Sequence, residues 1–148
     1  MQIYVGADHG GFHLKAGLIK YLRDHGYEVA DEGDDSPDPD DDFPQFAARV
    51  ATNVLASGDT GARGIVICRN GQGVCMASNR FKGIRAALGY DSKAAKSSRN
   101  DDDSNVLCLP ADVLEKDAAY KIVDIWLKTP FANATRFRRR NQQLDELG

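Results

Sequence analysis

At 148 residues, 28% of them charged and 42% hydrophobic, the chain has the size and composition of one soluble domain, 1–148, with a single core and no linker. A net charge of -3 excludes a general attraction to nucleic acid or anionic membrane, so any anion must be bound locally. No apolar run approaches the roughly 20 residues of a membrane span, Met1 leads into a strand pattern without a signal peptide, and the three cysteines lack C-x-x-C spacing and read as reduced thiols; a cytoplasmic protein is expected.

In chain order, Gln2 to Ala7 is a β-branched and aromatic run suited to a buried strand, stopping at Asp8-His9-Gly10-Gly11. Phe12, Leu14, Leu18, Ile19 and Leu22 recur at helical spacing through His25, and Gly26 closes that helix. Tyr27 to Ala30 is the next strand. Residues 31 to 42 hold eight acids and two prolines, which predicts a solvated loop; the EF-hand spacing, with its central glycine and terminal Glu, is absent, which disfavours calcium binding. Asp42 is expected to cap a helix from Phe43, with Pro44 in its first turn, to Ser57-Gly58. A strand, Ile65 to Cys68, precedes Gly71, Gly73 and a helix ending near Asn79. Ile84 to Leu88 is a fourth strand, Asp91 opens a short helix reaching Arg99, and residues 100–104 lead into a fifth strand, Asn105 to Leu109, ended by Pro110. A helix with Ala118, Ala119, Ile122, Val123, Trp126 and Leu127 stops at Thr129-Pro130, and a last one, Ala132 to Leu147, carries Arg136, Arg138, Arg139 and Arg140. Alternating strands and helices predict a parallel sheet covered on both faces, with ligands at the carboxyl ends of its strands.

Two polar clusters fall at such ends. Asp8-His9 follows the first strand and suits general acid–base work or donation to a phosphate; a helix cap with a solvent-facing histidine accounts for it equally simply. After the third strand, Cys68 adjoins a glycine-bearing loop, residues 69 to 73, whose backbone N–H groups can hold an anion; a structural turn beside a buried cysteine is the plainer alternative. A cysteine phosphatase needs an arginine at C-x5-R spacing, where Val74 stands, and a G-x-G-x-x-G dinucleotide loop needs a small residue where Met76 stands. Cys68 as a base that shuttles a proton between adjacent carbons, with loop N–H groups stabilising an enediolate, meets neither objection. A redox-sensing Cys68 would need an accessible, acidified thiol. Arg136 and Arg140, four apart on one helical face, can grip a phosphate or form an ordinary solvated basic face.

Together these residues resemble the ribose-5-phosphate isomerase B and galactose-6-phosphate isomerase family. The likeness rests on Gly6-Ala-Asp-His-Gly-Gly-Phe12 with Leu14-Lys15, Asp42-Phe-Pro44, Gly64-Ile-Val-Ile-Cys68, Gly71-Gln-Gly73, Ala77-Ser-Asn79, Lys82-Gly-Ile-Arg85, Ser98-Arg99, Asn105-Val-Leu107 and Arg136 through Arg140, in one order along nearly the whole chain. It implies an α/β fold, a three-layer Rossmann-like sandwich around a five-stranded parallel sheet. It also implies a homodimer, or a tetramer of two such dimers, in which the C-terminal helix reaches over the partner to help form its site. The implied reaction is aldose–ketose isomerisation of a sugar phosphate, ribose 5-phosphate and ribulose 5-phosphate foremost, through a cis-enediolate, with no metal or organic cofactor and no nucleic-acid or membrane partner. By the resemblance Cys68 is the base between C1 and C2, and Arg69, Asn70, Gly71, Gln72 and Gly73 form the anion hole. Asp8 and His9 contact the ring oxygen and the phosphate end, and Arg136 and Arg140 hold phosphate.

The chain departs from that pattern at specific positions. Asp101-Asp102 replaces a usual His-Asn credited with ring opening, Asn70 a usual Thr or Ser, Arg69 a usual glycine, and Asp112 stands at or beside a usual arginine. Asp101 can serve in ring opening if crowding by Asp102 and Asp103 raises its pKa, and Asp102 would then line the sugar. A lost cation would be compensated by Arg69 or Arg99. An alternative motivated by these changes is a catalytically altered member that binds a sugar phosphate or nucleotide as a regulatory module.

Overall fold

The structure, a computed structural model, describes residues 1–148. Its elements are β1 (Gln2–Ala7), a 3-10 turn (His9–Gly11), α1 (Phe12–Asp24), β2 (Glu28–Asp31), α2 (Phe43–Ala56), β3 (Arg63–Cys68), α3 (Gln72–Ser78), β4 (Ala86–Leu88), α4 (Ser92–Asp102), β5 (Val106–Pro110), α5 (Lys116–Lys128) and α6 (Thr135–Glu146). All five strands are parallel and lie in the order β2-β1-β3-β5-β4.

The central strands are apolar on both faces, as a sheet between two helical layers requires. Alternation divides them: Ile3, Val5, Ile65, Ile67, Leu107 and Leu109 pack with Leu18, Leu22, Ala95, Val123 and Trp126 of α1, α4 and α5. Val66, Cys68, Val106 and Cys108 pack on the other face with Ala47, Val50, Ala51, Val54 and Val74 of α2 and α3. Helix, sheet and helix make the expected three layers.

Lys15 interrupts the buried stripe of α1, which otherwise comprises Leu18, Ile19 and Leu22. Its side chain is 2% exposed, and Nζ donates to Asp31 Oδ1 at 2.8 Å and to the Asp34 carbonyl at 3.0 Å. A buried ammonium is tolerable only when so partnered. It ties the root of the acidic segment to α1.

Several boundaries differ from the sequence reading. Asp31 belongs to β2, opposite Val5, and not to the loop. Asp42 occupies the start of α2 without a side-chain cap bond; its carbonyl accepts from Gln45 instead. β4 is three residues long, because the Arg85 N–H is taken by the Asn105 side chain and not by a neighbouring strand. α4 continues through Asn100–Asp102 and stops at Asp103, whose φ is 48°. Arg99 secures that end, donating to Asp103 Oδ1 at 2.7 Å and the Ser104 carbonyl at 2.6 Å. α6 starts at Thr135, after Asn133 turns the chain with φ 58°.

Candidate active site

From β1 the chain steps outward to β2 and then returns past β1 to β3. That reversal opens a crevice at the carboxyl ends of β1 and β3, where such sheets bind ligands. Asp8 and Cys68 stand side by side there: Ala7 pairs with Ile67, and the Asp8 N–H donates to the Ile67 carbonyl at 3.3 Å. Strand alternation points both side chains toward the α2 and α3 layer. Cys68 is 7% exposed, too covered for a general redox sensor. The other two thiols interact with each other. Burial pushes Cys108 far above the ordinary thiol range, and a hydrogen bond from Cys108 lowers Cys75.

The loop after Cys68 has the form an anion needs. Gly71 has φ 71°, and a Cβ there would lie 2.7 Å from Leu88 Cδ1 and 3.2 Å from the Pro110 nitrogen. Glycine therefore lets the loop press against the end of β5 in a left-handed conformation. Gly73 leaves space for the Phe43 ring, 2.7 Å from where its Cβ would be. The N–H groups of Asn70, Gly71, Gln72, Gly73 and Val74 bond to no backbone acceptor. Consecutive N–H groups of this kind form a concave partial positive charge.

Asp8 is 8% exposed, and its Oδ1 accepts the Gly10 N–H at 3.0 Å, fixing the turn after β1. His9 meets a carboxylate from far along the chain: Asp41 Oδ1 lies 2.7 Å from Nδ1 and accepts the His9 N–H at 3.1 Å. That hydrogen bond, before any other cause, raises the His9 pKa above its ordinary 6.5; the charges of Asp41 and Asp8 add, and partial desolvation and Arg69 oppose. The sequence places Asp41 in a solvated loop. The segment is instead folded back onto the site, because Lys15 holds its root and α2 its end. Nothing local separates Asp41 from Asp38 or Asp40; the available signal was Lys15 on an apolar helix face, which demands a buried anionic partner.

Asp8, His9 and Asp41 are also the one group whose ligand atoms lie close enough for a metal, within 4.8 Å. Two of those atoms, His9 Nδ1 and Asp41 Oδ1, are already bonded to each other, so the arrangement is that of a hydrogen-bonded network.

Arg69 and Asp112, two of the departures, are neighbours. Arg69 Nη1 is 3.6 Å from Asp112 Oδ1, and the Asp112 N–H donates to the Arg69 carbonyl at 2.9 Å. Both side chains are about half exposed, so the pair is weak and the guanidinium is free to move to a ligand. Gly10 makes room for it: a Cβ there would strike Arg69 Cγ at 2.5 Å. Arg99, the other candidate for compensation, is excluded. It is 3% exposed and bound to Asp103, Ser104 and Thr129.

Four expected site residues do not join Cys68 within the chain. Because α4 runs back along the sheet, its end carries Asp101 and Asp102 to the amino end of β5, roughly 15–20 Å of strand away from Cys68. Arg140 lies near enough to act on the Asp102 charge, so this end of α6 is there too, and Arg136 is one turn away. Arg85 fastens α6 in place, holding both Asp145 oxygens at 3.0 and 2.9 Å. Asp102 lines a cavity of about 720 Å³ between α6 and the segment before β4. Desolvation there, and then the Asp101 charge, push its carboxyl above the usual range. Asp103, the next acid along, is paired with Arg99 and Arg85. No helix of the chain is long and apolar enough to cross a membrane.

The family model for ribose/galactose isomerases matches residues 3–144. The chain belongs to that family. Within the ribose/galactose isomerases, a probable ribose-5-phosphate isomerase B from Mycoplasma pneumoniae is 42% identical over 137 residues, covering 93% of this chain and 89% of the relative. The solved structure of Clostridium thermocellum ribose-5-phosphate isomerase B superposes with a TM-score of 0.93 at 40% identity, over 99% of this chain and 96% of that one. That of the Mycoplasma genitalium enzyme, solved with bound ribulose 5-phosphate, gives 0.90 at 37% identity, over 97% and 93%. Membership makes the protein an isomerase of sugars, with the Rossmann-like parallel sheet of its relatives.

Proposed function

We propose that the protein interconverts ribose 5-phosphate and ribulose 5-phosphate in the crevice between β1 and β3. The observation that carries this is Cys68 at the end of β3, directly beside the unbonded N–H groups of residues 70–74. The ribulose 5-phosphate bound to the Mycoplasma genitalium relative supports the choice of substrate.

In this reading the open-chain aldose lies with C2 at the Cys68 sulfur and its C1 and C2 oxygens over the loop. The thiolate takes the C2 proton, the C–H electron pair forms the C1–C2 double bond, and the carbonyl π pair moves onto O1. Backbone N–H groups of Gly71 to Val74 stabilise that cis-enediolate, with Arg69, Asn70 and Gln72 bordering it. A proton passes from O2 to O1, the Cys68 thiol returns its proton to C1, and O2 collapses to the ketone. During ring opening Asp8 takes the anomeric hydroxyl proton as the bond from C1 to the ring oxygen breaks, the ring oxygen takes a proton from a second acid, and the two carboxyls re-equilibrate through solvent; His9 faces the phosphate end.

Asp101, Asp102, Arg136 and Arg140 come to this site from a second copy. α4 and α6 end on the face opposite Cys68, so a homodimer with an isologous interface brings each set to the other's crevice. Arg136 and Arg140 then hold the phosphate as paired guanidinium forks. Asp102, its carboxyl raised, fits a proton donor to the ring oxygen.

The test is exchange of the C2 proton of ribose 5-phosphate with deuterated solvent, followed by NMR. Wild-type protein is expected to exchange it, and Cys68→Ala to lose about 10²–10⁴ of the rate while keeping its fold. Binding of sugar phosphates without exchange across a panel of aldoses would favour the regulatory-module alternative.

A further inference from the structure

One carboxylate oxygen does two things to His9. Asp41 Oδ1 accepts the backbone N–H at 3.1 Å and sits 2.7 Å from Nδ1. Nδ1 therefore carries a hydrogen directed at Asp41, and Nε2 is the ring atom left for a ligand. The Asp41 side chain is 7% exposed and that of His9 28%, so the carboxylate is covered while the ring still reaches the crevice.

Asp41 does not arrive there by chance of a mobile tail. The buried Lys15 ammonium fixes Asp31 and Asp34 at the root of the segment, and Gly33 passes so close that a Cβ would lie 2.6 Å from Nζ. The Asp41 N–H donates to the Asp38 carbonyl at 3.1 Å, and two residues on, Phe43 packs against Gly73 of the anion loop. The same segment thus touches both the histidine and the loop of the site.

We propose that Asp41 is a positioning residue of the isomerase site, acting through His9: it fixes the imidazole with Nδ1–H on the carboxylate and Nε2 facing the phosphate end of the sugar. The proposal rests on the isomerase reading above. It assigns work to a run of acids that would otherwise be solvated surface. The charged groups facing His9 are Asp41 from this segment, Asp8 from its own turn and Arg69 from the loop after β3. Asp8 and Asp41 favour the imidazolium and Arg69 opposes it, and the direct bond to Asp41 is the largest influence. A charged ring donates from both nitrogens, which suits a phosphate at Nε2.

The experiment uses the full chain in four forms: wild type, Asp41→Asn, Asp41→Ala and Asp40→Asn. Two readouts are taken, the His9 imidazole titration by nitrogen NMR without substrate, and kcat and KM for ribose 5-phosphate against pH. Asp41→Asn is expected to move the His9 titration to lower pH. Both Asp41 variants should raise KM by about 10- to 100-fold with a smaller change in kcat, and move the acid-dependent limb of kcat/KM with the titration. Asp40→Asn, on an exposed acid of the same run, should change neither. A His9 titration unaltered in Asp41→Asn overturns the proposal, as does an effect of Asp40→Asn equal to that of Asp41→Asn. So does a shifted titration with KM and pH profile unchanged. If the wild-type protein fails to turn over the sugar, the isomerase reading fails by itself, and the titration still decides whether Asp41 governs His9.

Discussion

His9 and Asp41 are 32 positions apart and share a hydrogen bond at the mouth of the site, which gives the fold itself a pH dependence. The folded-state pKa of His9 lies above its ordinary 6.5, so protons bind more tightly to the folded chain. The stability from the charged pair is therefore fully present below 6.5 and is lost as pH rises through the raised value. Thermal unfolding of wild type and Asp41→Asn is expected to differ most in mildly acid solution, above the carboxylate range, and to converge at higher pH. A gap that stays constant would show that the pair contributes nothing through charge. Arg69 and Asp112 follow the same logic of neighbours. Read singly along the chain, they are a gained cation and a lost one; side by side at 3.6 Å, they place one movable cation at the crevice.

Among the elements, the loop between β3 and α3 keeps its shape by exclusion of side chains at Gly71 and Gly73. Gly71 is the decisive position, because its φ of 71° and its contacts with Leu88 and the Pro110 backbone both forbid a Cβ. Gly71→Ala should cost roughly 1–2 kcal/mol from the left-handed conformation, with more from the contact on β5, and should weaken anion binding at residues 70–74. Chemical denaturation together with phosphate titration measures both effects. A variant equal to wild type in each would mean that the loop readily takes another shape. The existence and type of every strand and long helix were legible, since apolar residues recur at helical spacing in the helices and run unbroken in the buried central strands. The ends were less so. α4 runs through Asn100–Asp102 because Arg99 bonds forward to Asp103 and Ser104, a contact that no periodicity announces.

Across the whole molecule, two polar clusters lie at opposite ends of one sheet. Cys68 with its loop, Asp8 and His9 occupies the carboxyl end; Asp101, Asp102 and Arg140 gather at the amino end. If a second copy completes each site, two inactive variants should restore one another. Mixing Cys68→Ala chains with chains carrying Arg136→Ala and Arg140→Ala should return roughly a quarter of the wild-type rate, since half of randomly paired dimers are mixed and each holds one intact site. Absence of recovery after verified subunit exchange would place both sets of residues in separate functions.

The layered α/β architecture, the two polar strand ends, the family and the Cys68 loop are readable from residue order, because each is written in a local pattern: periodicity, glycine placement, or a motif of a few adjacent residues. Which distant side chains meet is set by the folded chain. Asp41 meets His9 because the acidic segment, held at its root by Lys15 of α1, folds back; Arg99 is removed from the phosphate-binding candidates by its own burial; Asp101 and Asp102 are carried away from Cys68 by the direction of α4. In each case the outcome depends on where a backbone excursion returns, and that is set by packing across the sheet, which residue types and spacing do not encode locally.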